Sequence, residues 1–131
     1  MTTDELSAEL ERSWHEDTAK RVSSGAEIAA AEQMAVNAYL TPLARRVVRI
    51  GQREIRQARK TGQRYQQRDL ASRVARRTEA DIRDDERCGS MIGTVGWLLL
   101  ERILWHLAGR LALWLVTDDG NEDLICRMEG A

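Results

Sequence analysis

Residues 91–116 decide the fold, and they read MIGTVGWLLLERILWHLAGRLALWLV. The polar side chains Arg102, His106 and Arg110 recur at every fourth position, so on a helix they form one narrow stripe and leave most of the circumference apolar. Such a helix needs neighbours on several sides. The pattern therefore predicts one helix over 91–116 that forms the packing core of an all-α protein.

The N-terminal segment carries a clear helix-start signal. Thr2 and Glu5 have the spacing of a capping box, in which a hydroxyl and a carboxylate satisfy free amides of the first turn. The predicted first helix then places Leu6, Leu10 and Trp14 on one stripe of an otherwise polar surface. This stripe is the face that we expect to meet the core.

Two further helices are predicted before residue 62. Ser24 and Glu27 repeat the capping-box spacing ahead of an alanine-rich helix at about 25–40, whose small side chains allow close approach of another helix. Thr41 is then the expected N-cap of a third helix that starts at Pro42, because proline's missing N–H needs no partner in the first turn.

The whole chain is predicted to be one domain, 1–131, with an all-α fold. We expect an elongated helical protein or a bundle of about four to five helices, since length and composition require no second core. Its parts are the acidic and alanine-rich helices 1–40, a basic arm 42–87, the apolar helix 91–116 and an acidic tail 117–131. Alternating apolar residues around the tail's turn make a short C-terminal β-hairpin the alternative to helix followed by coil.

Charge is strongly segregated along the chain although the net charge is only −1. Residues 1–32 carry −5, residues 43–77 carry +10 and residues 78–131 carry −6. Within the basic block, cations recur every three or four residues, so a continuous helix would present a ridge roughly 30 Å long or more. A bend of this helical arm at Gly62 is the alternative. The ridge consists of Arg45, Arg49, Arg53, Arg56, Lys60, Arg64 and Arg68.

Three kinds of partner suit this ridge. It could pair with the acidic segments 1–32 and 78–87 of the same or a neighbouring subunit, which the near-zero net charge favours. It could bind the phosphates of nucleic acid without recognising sequence, or an anionic lipid surface. Tyr65 is the only aromatic residue of this segment, so stacking of single-stranded bases along the ridge is not favoured.

The apolar helix predicts self-association, because its apolar circumference exceeds what the narrow stripe of the first helix covers. The alternative is a membrane span in an oligomer or pore, although Arg102 and Arg110 near its centre oppose insertion of a lone helix. For packing between copies, the candidate residues are Trp97, Leu100, Leu104, Leu107, Leu111 and Trp114.

The sequence contains no recognisable catalytic centre. Phosphate-cradling glycine loops, the zinc-protease pattern and the nucleophile elbow are all missing from it. Glu11 with His15, or Glu101 with His106, could share a metal, but a surface pair for His15 and a semi-buried polar contact for His106 are favoured. We expect no enzyme activity, no cofactor, no metal and no small-molecule substrate.

These features favour a non-enzymatic structural or adaptor subunit of a homo-oligomeric or larger assembly. Small components of phage particles often combine an apolar packing helix with a charged arm in this way. The comparison is a general one and identifies no family. Cys88 and Cys126 are too few and too far apart for a disulfide framework, and the N-terminus has no signal-peptide pattern. We therefore expect a cytoplasmic or particle-associated protein, with membrane association as the alternative.

Overall fold

The computed structural model describes residues 2–23 and 36–115. These two ranges contain no strand and five α-helices, which confirms the predicted all-α fold. The alanine-rich segment with its Ser24–Glu27 capping box, the tail and its alternative hairpin lie outside the described residues. The helices are α1 (Thr3–Ser23), α2 (Leu40–Thr61), α3 (Gln67–Asp84), α4 (Gly89–Val95) and α5 (Trp97–Leu115), with a 3₁₀ helix, Glu86–Cys88, between α3 and α4.

The core is built around α5, which packs against α1, α2 and α3 and shares its most extensive contact with α3. Helix α2 packs in turn against α1 and α3. Since three long helices surround α5, most of its apolar circumference is buried within one chain. Its buried residues are Leu100, Ile103, Leu104, Leu107, Ala108, Leu111, Ala112 and Leu115.

Helix α1 begins and packs as its sequence predicts. The Thr2 hydroxyl accepts a hydrogen bond from the Glu5 amide at 3.1 Å and donates to the Glu5 carboxylate at 3.2 Å. Leu6, Leu10 and Trp14 are all buried in the core. The capping pair and the apolar stripe together fix where this helix starts and which face it buries.

Helix α2 starts at Leu40, two residues earlier than predicted. Thr41 is not its N-cap, because Tyr39 takes that position and Thr41 lies in the first turn, where its hydroxyl donates to the carboxylate of Glu11 on α1. Pro42 lies within the first turn, where its missing N–H leaves no helical hydrogen bond unmade. The first-turn side chain therefore joins two helices, which the local Thr-Pro pattern does not reveal.

The basic segment is not one continuous helix, because α2 ends at Thr61 and Gly62 takes a left-handed conformation with φ of 72°. The Gln63 amide donates to the Ala58 carbonyl at 2.9 Å, and the Gly62 amide donates to the Arg59 carbonyl at 3.4 Å. This pair of bonds is a Schellman motif, in which glycine avoids the steric penalty of a Cβ atom. Helix α3 then returns along α2.

Residues 91–116 do not form one helix either. The chain breaks at Gly96, whose φ is 86°, so that the short α4 ends at Val95 and α5 begins at Trp97. None of the helices in the two described ranges is both long and apolar enough to cross a membrane. The longer part of the divided segment, α5, carries the charged side chains Glu101, Arg102 and Arg110.

Candidate functional site

The exposed face of α2 carries a straight row of cations. Because apolar residues recur on one side of this helix and pack into the core, the intervening basic residues point away from it. We call Arg49, Arg53, Arg56 and Lys60 the α2 stripe, and Arg45 continues it towards the start of the helix. From Arg45 to Lys60 the row is about 22 Å long at the usual helical rise.

Carboxylates of the two described ranges neutralise little of the α2 stripe. Arg45 lies 3.9 Å from the Asp4 carboxylate, and Arg49 donates to the Arg45 carbonyl at 3.4 Å. Within residues 2–23 and 36–115, no carboxylate forms an ion pair with Arg49, Arg53, Arg56 or Lys60. Among the five ridge cations on α2, the predicted internal pairing is therefore confined, in these two ranges, to the long contact between Arg45 and Asp4.

Helix α2 has a single acidic residue, Glu54, and it points inward. Glu54 is 5% exposed and accepts from Arg73 at 2.5 Å, with Arg77 at 3.1 Å and the Tyr65 hydroxyl donating at 3.5 Å. The bond to Glu54 raises the pKa of Arg73, and burial raises the pKa of Tyr65. Because its charge is committed to α3, Glu54 does not neutralise the α2 stripe.

The acidic residues at the end of α3 pair with an arginine outside the α2 stripe, Arg46. Arg46 points towards α3 and donates to Asp81 and, at 3.1 Å, to Asp85. Arg87 also donates to Asp85, and the hydrogen bonds from Arg87 and then Arg46 hold the pKa of Asp85 well below its usual range. Cys88 is buried beside Arg46, and burial raises the pKa of its thiol. Within the acidic segment 78–87, Asp81 and Asp85 therefore form ion pairs with Arg46 and Arg87 and not with the α2 stripe.

The last two members of the predicted ridge are displaced from α2. Arg64 is exposed in the connection after Gly62, and Arg68 is exposed on the first turn of α3. Arg68 lines a groove of about 490 Å³ together with Trp105 and Arg110 of α5. The fold therefore separates Arg68 from the cationic row and places it beside an aromatic side chain.

The residues predicted to pack between copies lie mainly inside the chain's own core. Four of them, Leu100, Leu104, Leu107 and Leu111, are completely buried between helices of one chain. The other two, Trp97 and Trp114, are half-buried, and the Arg83 guanidinium lies 4.3 Å from the centre of the Trp97 ring. In this fold the four leucines contact neighbouring helices of their own chain. The large apolar residues left exposed are Leu98, Trp105 and Leu113.

Neither histidine joins a metal centre in the described ranges, where no cluster of three or more metal-ligating side chains occurs. His106 is hydrogen-bonded through Nε2 to the Ser13 hydroxyl at 2.8 Å and meets the Trp14 ring edge-on, with ring centres 5.4 Å apart. This is the semi-buried polar contact expected for His106. His15 is exposed on α1.

Two features of the molecule were not predicted from the sequence, the buried Glu54 and the groove beside Trp105. Glu54 carries a signal in hindsight, since it lies one helical turn from Ile50 and one from Ala58 and so shares their buried face. The groove between Arg68 and Trp105 carries none, because its walls come from helices that are distant in sequence. Comparison with family models, curated proteins and solved structures gives no match, so the chain's own surface carries the functional argument.

Proposed function

We propose that this protein is a non-enzymatic structural or adaptor subunit that binds duplex nucleic acid through the α2 stripe, without recognising base sequence. The observation that carries the proposal is the stripe itself, four exposed cations in line with no carboxylate paired to them in the described ranges. A role in a larger assembly, such as a nucleic-acid-containing particle, belongs to the same proposal.

The dimensions of the row suit a phosphate backbone. A duplex presents about one charge per 1.7 Å of its axis, so a row about 22 Å long faces many phosphates at once. Guanidinium groups donate in a planar fork that matches phosphate oxygens. These contacts position a protein on the duplex but carry no sequence information, because every base pair has the same backbone.

Duplex nucleic acid fits the stripe better than a lipid surface does. A helix that lies in a membrane interface needs an apolar face to insert among the acyl chains, and the apolar face of α2 is already buried in the core. The side chains beside the stripe are polar: Gln57 is exposed, and the Gln52 amide donates to Thr3 at 2.9 Å. Without insertion, an anionic bilayer would be contacted through headgroup charge alone, whereas a duplex also presents its phosphates in a line that matches the row of cations.

The proposal is tested by measuring the binding of a 20-base-pair DNA duplex to the full chain over a range of salt concentrations. We expect affinity to fall steeply with salt and to be nearly the same for duplexes of unrelated sequence. Changing Arg49, Arg53, Arg56 and Lys60 together to Gln should reduce the log–log slope by about 3 to 4, because each phosphate contact contributes about 0.9.

The matched control removes four positive charges from other exposed positions. Arg12, Lys20, Arg76 and Arg83 changed together to Gln produce the same net charge but leave the α2 stripe and the pairing of Asp85 intact. This control should keep most of the duplex affinity and nearly the full salt slope. Equal losses in the two variants, or binding of the wild type to anionic vesicles but not to DNA at low salt, would contradict the proposal.

A further inference from the structure

A shallow groove of about 490 Å³ runs between α1, α3 and α5, on a surface distinct from the α2 stripe. Its volume lies in the range of about 300 to 1,000 Å³ that is usual for small-ligand sites. The groove brings together an exposed tryptophan, two arginines from different helices and a glycine. None of these residues belongs to the α2 stripe, so substitutions in the groove leave the stripe unchanged.

Trp105 supplies a planar apolar wall. It is 42% exposed, and its indole Nε1 donates to the Glu79 carboxylate of α3 at 3.1 Å, which fixes the orientation of the ring. The neighbouring His106 is fixed by its hydrogen bond to Ser13. An exposed aromatic face that is already held in place can stack on a planar ligand with little loss of side-chain entropy.

Gly109 leaves room beside that wall. It follows Trp105 by one helical turn and lines the groove, and a Cβ atom built on it meets no other atom within 4 Å. A larger residue at this position would project into the open space. The position therefore provides an open floor next to the indole ring.

Two cations border the groove from opposite helices. Arg68 comes from α3 and Arg110 from α5, and both are exposed. In the two described ranges neither forms an ion pair with a carboxylate. Asp17 of α1 also lines the groove. The chemistry that the groove offers a ligand is thus one planar wall and two anion-binding groups.

From this combination we infer that the groove binds a nucleotide, with the base stacked on Trp105 and the phosphate held by Arg68 and Arg110. A base supplies the planar ring, and its phosphate supplies the negative charge. The same chemistry is offered by a free mononucleotide and by one unstacked nucleotide of a single strand. The groove's size suits one such unit.

The test follows the indole N–H signals of the ¹⁵N-labelled full chain during titration with adenosine monophosphate and, separately, with a ten-residue deoxyadenylate strand. The signal that disappears in Trp105→Phe is assigned to Trp105, and we expect it to shift with at least one probe. Both Trp105 variants lack that signal, so their affinities are measured by titration calorimetry. Trp105→Ala should weaken the binding about tenfold, while Trp105→Phe retains most of it because the stacking surface remains.

The arginines supply the charge control. Arg68→Gln and Arg110→Gln should each weaken binding several-fold and reduce its salt dependence, whereas Arg76→Gln, an equal charge change elsewhere on α3, should leave it unchanged. Gly109→Leu should block the groove while the fold, checked by circular dichroism, stays intact. These results hold whether or not the α2 stripe binds duplex DNA, so failure of one proposal is distinguishable from failure of the other.

The two probes separate the two sources of ligand. Equal affinity for the mononucleotide and the strand identifies a free nucleotide. A strand that binds more than tenfold tighter identifies one nucleotide of a longer chain. If neither probe moves the Trp105 signal, or if Arg76→Gln weakens binding as much as Arg68→Gln does, the inference is overturned.

Discussion

Helices α5 and α2 lie against each other and bury a similar share of their residues, eight of 19 in α5 and ten of 22 in α2, although one is strongly apolar and the other strongly basic. The similarity arises because burial follows a helical face rather than average hydropathy. In α2 a regular apolar face is hidden among arginines, and that is sufficient to make it a core helix.

The two helices differ in what they leave exposed. Helix α5 presents Leu98, Trp105 and Leu113, whereas α2 presents the α2 stripe. Function is therefore expected on the surface that remains after the core has formed: a cationic row on one helix and an aromatic wall on the other.

The largest effect is expected from Leu104→Ala, because Leu104 is completely buried inside one chain. Loss of its contacts and the cavity left behind should lower the free energy of unfolding by about 2 to 5 kcal/mol. Leu98→Ala is the matched control on the same helix, since Leu98 is 80% exposed, and it should change stability by no more than about 0.5 kcal/mol. Chemical denaturation measures both values.

Light scattering on the same two variants separates an internal core from a contact between copies. If Leu104 packs inside one chain, Leu104→Ala changes the denaturation midpoint and leaves the molecular mass of the folded protein unchanged. A folded variant of lower mass than the wild type, with little loss of stability, would show that the leucines of α5 hold copies together.

The sequence predicted α1 and the central role of α5 because their signals are local or periodic. Thr2 and Glu5 lie three residues apart, and the apolar pattern of 91–116 is dense. The pattern did not reveal how many partners α5 finds within its own chain, since that depends on the packing of helices distant in sequence. Leu104 and Leu107 were therefore expected at a contact between copies and lie in the core.

The charged positions were predictable only one helix at a time. Periodicity placed Arg49, Arg53 and Arg56 correctly on one face of a helix. Gly62 indicated a bend in the arm, but periodicity could not show that Arg68 returns beside α5 or that Glu54 is paired inward, because each of these depends on a neighbouring helix. Pairwise contacts between distant segments carry no periodic signal.

The next largest effect is expected where α2 approaches α5. A Cβ atom on Gly51 would lie 2.5 Å from Cδ2 of Leu111, which is itself completely buried. Gly51→Ala should therefore destabilise the protein by about 1 to 2 kcal/mol, because overpacking outweighs the gain of about 1 kcal/mol in helix propensity. Thermal and chemical denaturation report the change.

The control for this prediction is Gly109→Ala on α5, where a Cβ atom meets nothing within 4 Å. This change should stabilise the protein by up to about 1 kcal/mol, because helix propensity acts there without a steric penalty. Equal stabilisation by the two substitutions would contradict the close approach of α2 and α5.

The smallest effect concerns the paired charges beside the α2 stripe, at Asp85. Hydrogen bonds from Arg87 and Arg46 lower the pKa of Asp85 in the folded protein. The stabilisation is therefore fully present above the unfolded pKa of about 3.9 and is lost as pH falls through the lower folded value. Urea denaturation should show Asp85→Asn less stable than wild type at pH 6, with the difference shrinking below about pH 4. Asn at this position can still accept from the Arg87 amide, so the comparison isolates the charge.

The neighbouring exposed Asp84, changed to Asn, should show a much smaller difference, since no ion pair involves it in the described ranges. A difference for Asp85→Asn that stays constant from pH 6 to pH 2 would mean that its pairing with Arg46 and Arg87 does not stabilise the fold, and the contrast between paired and unpaired arginines would lose its energetic basis.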